Sequence, residues 1–187
     1  MEDDSQTEDS KRVTVWTIGH STRSVEEFFA ILQAHSMEAL VDVRSFPGSR
    51  RYPQFNKGSL SATLAEVNVD YHHMPLLGGR RKPRSDSKNT AWHSASFRAY
   101  ADYMESQEFA RGIKELLELA SVKKTVIMCA EAVWWRCHRS LISDYLKSGG
   151  LLVIHIIDAT HADEHPFTSA ASIVDGELSY AGLLEKS

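Results

Sequence analysis

The chain has 187 residues, 42% of them hydrophobic, which suits one ordinary domain with a full core and is short for two. A formal net charge of −4 argues against a wholly basic nucleic-acid binder, and two cysteines are too few for a disulfide framework. No apolar stretch approaches the roughly 20 residues that cross a bilayer, and the acidic start Met1-Glu2-Asp3-Asp4 is unlike a signal peptide, so no membrane association and a cytoplasmic setting are expected.

Glu2, Asp3, Asp4, Glu8 and Asp9 make residues 1–11 an acidic tail whose composition predicts disorder, leaving 12–187 as a single α/β domain. Arg12 to Ile18 alternates β-branched residues and reads as a strand ending at Gly19-His20-Ser21. Ser24 and Glu27 form a capping-box pattern ahead of Phe28, Ile31 and Leu32 at helical spacing. Glu38 to Val43 is a buried-looking strand that delivers Asp42 and Arg44 to its carboxyl end. Residues 45–56 are turn-rich, a short helix is expected over about 59–67, and Val69 to Met74 is a third strand.

The stretch 75–93 contains Gly78-Gly79 and the basic run Arg80-Arg81-Lys82-Pro83-Arg84, and loops of that length are usually lids or mobile segments. Two helices follow, through Phe97, Tyr100 and Met104 and then through Phe109, Ile113, Leu116 and Leu117. Lys124 to Met128 is a fourth strand, and Cys129 to Arg139 is a turn expected to open an amphipathic helix through Leu141, Ile142, Tyr145 and Leu146. Gly149-Gly150 stops that helix, and Leu151 to Ile157 is a fifth, apolar strand. Asp175-Gly176 marks a turn in a small C-terminal extension.

Strands alternating with helices predict an α/β fold: a mostly parallel sheet of about five strands with helices on both faces. Ligands of such folds sit beyond the carboxyl ends of the strands. Those ends carry His20 and Ser21, Asp42 and Arg44, His72 and His73, Cys129 and Glu131, and His155 and Asp158.

Six motifs in order, Thr17-Ile-Gly-His-Ser21, Asp42-Val-Arg-Ser-Phe-Pro47, Phe55-Asn56, Leu77-Gly78-Gly79, Phe97 to Met104, and Cys129-Ala-Glu131 with Cys137-His138-Arg139, span nearly the whole folded region. Together they resemble the family called domain of unknown function 488. The resemblance implies an α/β domain and marks these same residues, but it supplies no settled activity.

Cys129, Cys137 and His138 are metal-ligand types at a spacing that suits zinc poorly, so neither a metal nor another cofactor is expected. A thiol-phosphatase reading of Cys129 needs an arginine six positions on, where Trp135 stands, and Arg136 comes one residue late. Glu131 is a better candidate for acid–base work, either as a catalyst with Asp42, His20 and His138 or as a carboxylate that merely offsets a helix dipole. Cations and aromatic residues interleave in the loops beside this edge, which is the pairing that holds phosphates and stacks bases.

The expected partner is therefore nucleic acid, DNA favoured, or a nucleotide. The expected activity is hydrolysis of an N-glycosidic bond on a damaged or modified base, with Arg44, Arg51, Arg81, Arg139, Phe55, Asn56 and Trp134 binding the substrate. The alternatives are a non-catalytic nucleic-acid or nucleotide-binding module and a thiol or metal enzyme using Cys129 and Cys137. The sequence sets no oligomeric state.

Overall fold

The structure is a computed structural model that describes residues 13–182; the expected acidic tail over 1–11 lies outside them. The chain runs β1 (Thr14–Gly19), α1 (Val25–Ala34), β2 (Ala39–Asp42), α2 (Lys57–Glu66), β3 (Asp70–His73), α3 (Ala95–Met104), α4 (Gln107–Val122), β4 (Thr125–Cys129), α5 (Arg139–Ser148), β5 (Leu152–Ile156), β6 (Ala162–Glu164), β7 (Ser172–Val174) and β8 (Glu177–Ser179). Six strands form one sheet in the order β3-β2-β4-β1-β5-β6, parallel except for β6. No helix among the described residues is long and apolar enough to cross a membrane.

Alternation along the strands builds two cores. Val126 and Met128 of β4 point to the face covered by Phe28 and Leu32 of α1 and Leu60 and Leu64 of α2. Ile127 and Cys129 point to the other, covered by Tyr100 of α3, Phe109 of α4 and Leu141 of α5. The chain leaves β1 and β2 for the first face and β4 for the second, and β4 lies between the other two. The topology thus places switch points on both sides of the carboxyl end of β4, and the pocket there is lined from the β2 side.

The structure differs from the sequence reading at several elements. Strand β6 is three exposed residues without an apolar pattern and is set only by its antiparallel register, Ile154 opposite Glu164. The turn after β4 does not open a helix at once: a 3-10 turn at Trp134–Arg136 intervenes and α5 begins at Arg139. Ser24 Oγ accepts the Glu27 N–H, but the Glu27 carboxylate faces Arg23 at 3.6 Å instead of closing the capping box. The stretch 75–93 begins as a braced segment, with Leu77 wholly buried and the Tyr100 and Tyr103 hydroxyls donating to the carbonyls of Leu77 and Leu76. Asp175 and Gly176 turn the β7–β8 hairpin at φ 51° and 85°, values that glycine and aspartate tolerate.

A buried polar chain crosses the second face. Arg139 Nη1 lies 3.4 Å from Thr17 Oγ1, Thr17 Oγ1 2.6 Å from His155 Nδ1, His155 Nε2 2.8 Å from His165 Nδ1, and His165 Nε2 2.9 Å from Asp144 Oδ1. A guanidinium only donates and a carboxylate only accepts, so every proton in the chain points toward Asp144 and both imidazole tautomers are set. Asp144 also accepts from Thr168 and from the Tyr180 hydroxyl, tying the C-terminal extension to α5. Replacing Asp144 with alanine leaves these buried donors without an acceptor, so urea denaturation of Asp144→Ala is expected to show a loss of about 3–5 kcal/mol.

Candidate active site

A pocket of about 290 Å³ lies beyond the carboxyl end of β4. The β-ladder continues past the strand ends and fixes its inner wall: His20 N–H donates to Cys129 O and Ser21 N–H to Ala130 O, both at 3.0 Å. Gly19 makes this possible, because a Cβ there would stand 1.7 Å from the Glu131 carbonyl oxygen. That oxygen accepts from Arg139 Nη2 at 2.8 Å.

At the end of β2, Asp42 is wholly buried and saturated. Arg44 grips both its oxygens, Nε to Oδ1 at 2.8 Å and Nη2 to Oδ2 at 2.6 Å, and the Tyr71 hydroxyl donates to Oδ2 at 2.7 Å. Arg44 Nη1 lies 3.3 Å from His20 Nε2, so that nitrogen accepts and His20 Nδ1 donates to Ser21 O. Burial, and next the Arg44 charge, push His20 down to about 4. Phe55, wholly buried, stacks on the His20 ring at 4.3 Å.

The remaining wall comes from the start of the 75–93 stretch and the entry to α5. His138 Nε2 donates to Val43 O at 3.2 Å, which leaves Nδ1 as the acceptor, 3.5 Å from Cys137 Sγ. Burial, and then Arg139, hold His138 down at about 4. Gly79 packs against this ring so closely that a Cβ would sit 2.5 Å from Nδ1. The floor is formed by Cys129 and Cys137, joined as a disulfide. At the mouth stand Arg80 and Arg136, both exposed, with Phe46 72% exposed and Phe97 half-buried. Glu131 is exposed on the rim, and among the described residues its carboxylate takes no hydrogen bond.

A family model described as domain of unknown function DUF488 matches residues 24–146. The chain belongs to this family. No curated protein and no solved structure matches the chain. The DUF488 match takes in β2, β3, β4 and the Cys129–Arg139 turn, while β1 with Gly19 and His20, and β5 with His155, lie outside it.

The structure brings Glu131, His138 and Arg44 to the pocket, and the other expected site residues do not line it. Asp42 and His20 hold Arg44, and Asp42 has no oxygen left for a substrate. Arg139, 1% exposed, anchors the turn from below. Phe55 is core, and Asn56 accepts the Ser49 N–H at 2.5 Å, bracing its own loop. Arg81 lies over the Tyr103 ring at 3.4 Å and donates to three carbonyls of 75–78. Trp134 stacks on His155 at 4.4 Å, away from the pocket. Arg51 is exposed over Tyr52 and outside the pocket lining.

The lining cations and rings are instead Arg80, Arg136, Phe46 and Phe97. Arg136 is visible in the sequence only as a cation one residue from a register it does not keep. The expectation that Glu131 sits in the first turn of a helix is also corrected: that place belongs to the residues after Cys137.

Asp42→Ala leaves Arg44 buried and unpaired, with an expected loss of about 3–5 kcal/mol in urea denaturation. His20 and His138 titrate near about 4 in the folded chain against an ordinary 6.5. Between those values the unfolded chain binds protons that the folded chain refuses. Stability is therefore full above pH 6.5 and falls as pH drops toward 4, by roughly 1–3 kcal/mol per ring. Urea midpoints across that range check this, with NMR titration of the two rings.

Proposed function

We propose that the pocket hydrolyses the N-glycosidic bond of a damaged or modified base, in DNA for preference or in a nucleotide. The observation that carries this reading is Glu131, an exposed carboxylate without a hydrogen-bond partner among the described residues, on a rim whose other exposed charges are Arg80 and Arg136. A phosphate-bearing substrate is drawn to the two arginines, and Phe46 and Phe97 offer flat faces to a base taken out of its stack.

Glu131 then faces the sugar carbon from which the base departs, where a carboxylate stabilises oxocarbenium character or activates water. His138, held down at about 4, is neutral near neutral pH and gives its one N–H to Val43 O, so it does not serve the departing base as an acid. The negative charge of the departing base therefore falls to Arg80 and Arg136. Asp42 and His20 act through Arg44, as positioning residues. We place this activity in the cytoplasm, where a disulfide such as Cys129–Cys137 is usually transient, catalytic or redox-sensing.

Oligonucleotides carrying assorted base lesions, and the corresponding nucleotides, test the reading. Base release by the wild type is expected, with Glu131→Gln slowing it by about 10²–10⁴-fold while leaving binding intact. Binding without release, unchanged in Glu131→Gln, would identify a non-catalytic binding module instead. No release and no binding at low salt would reject both.

A further inference from the structure

We propose that Cys137 and Cys129 are a working dithiol on the floor of the same pocket, and that it reduces the disulfide of a small anionic compound. The two sulfurs are in contact, line the pocket, and come from different segments, the end of β4 and the entry to α5. The structure joins them as a disulfide across a sequence separation of 8, the oxidised form of the pair.

The pair is asymmetric, which assigns the roles. Cys137 Sγ accepts the Arg139 N–H at 3.5 Å at the start of the ten-residue helix α5, and lies 3.5 Å from His138 Nδ1. Helix N–H groups and the positive end of the dipole favour a thiolate there. Among the described residues no donor reaches the Cys129 sulfur in the same way. Arg80 and Arg136 at the mouth supply the charge that selects an anion.

The Cys137 thiolate attacks one sulfur of R–S–S–R′, forming a Cys137–S–S–R bond as the S–S bond of the compound breaks and R′S⁻ leaves. The Cys129 thiolate then attacks the Cys137 sulfur, RS⁻ leaves, and the Cys129–Cys137 disulfide closes. The dithiol loses two electrons and the compound gains them; the two thiol protons pass through solvent to the released thiolates. An external thiol reductant resets the pair.

The test uses the full chain, reduced and freed of reductant, with 5,5′-dithiobis(2-nitrobenzoate) as the anionic disulfide and 2,2′-dithiodipyridine as the neutral one. The wild type is expected to release one thionitrobenzoate per cysteine and to end with no probe attached by mass spectrometry. Cys129→Ser releases a single equivalent and keeps the probe on Cys137, and Cys137→Ser reacts about tenfold more slowly or worse. Arg136→Ala slows the anionic probe and leaves the neutral one unchanged. Probe retained on both cysteines of the wild type, equal rates for the two single variants, or no reaction of the folded reduced protein would each overturn the proposal. No base or nucleic acid enters this experiment, so its failure leaves the glycosidic reading standing, and the reverse.

Discussion

A guanidinium that is 1% exposed must find its acceptors inside the protein, and Arg139 governs the carboxyl edge of this sheet for that reason. Its Nη2 takes the Glu131 carbonyl and its Nη1 reaches Thr17 of β1, while Nε has no hydrogen-bond partner among the described residues. The turn after β4 is thereby folded back over the end of β1. Gly19 is where the two backbones meet, with no room for a side chain. Burial brings Arg139 down to about 9, so it keeps its charge near neutral pH.

From this anchor the polar groups of the edge divide by their partners. Asp42, Arg44, His20 and Tyr71 satisfy one another and form a rigid wall. Thr17, His155, His165 and Asp144 form a second closed set that runs from Arg139 to the C-terminal extension. Groups with all their hydrogen bonds made inside the protein have little left to offer a ligand. Among the described residues, the pocket side chains left without a hydrogen-bond partner include the charged Glu131, Arg80 and Arg136, which stand above the Cys129–Cys137 pair.

The histidines follow the same logic. Low polarity around His20 and His138 keeps both rings neutral at pH 7, so each can accept on one nitrogen and donate on the other. His20 uses this to receive Arg44, and His138 to place its acceptor nitrogen beside Cys137. Neither ring is a proton reservoir near neutral pH.

Much of the fold was legible in the chain because local patterning is enough to specify it: β-branched runs at 14–19 and 125–129, helical spacing at Phe28, Ile31 and Leu32, and glycines where strands and helices stop. The family was legible too, since its motifs are linear. The carboxyl ends of the strands could also be named as the place of the site, because a parallel α/β sheet collects them on one edge. Which charged residues work there and which brace it was not legible. Arg81 and Arg80 are neighbours in sequence, yet one is spent on carbonyls and a tyrosine ring and the other stands at the pocket mouth. Likewise the seven residues between Cys129 and Cys137 conceal a disulfide, and Asp42 and Glu131 look alike as carboxylates although one is saturated and the other free of hydrogen bonds among the described residues. Residue type and spacing determine the elements and the edge where chemistry gathers; partnership in three dimensions decides which groups are consumed in holding that edge together and which are left to act.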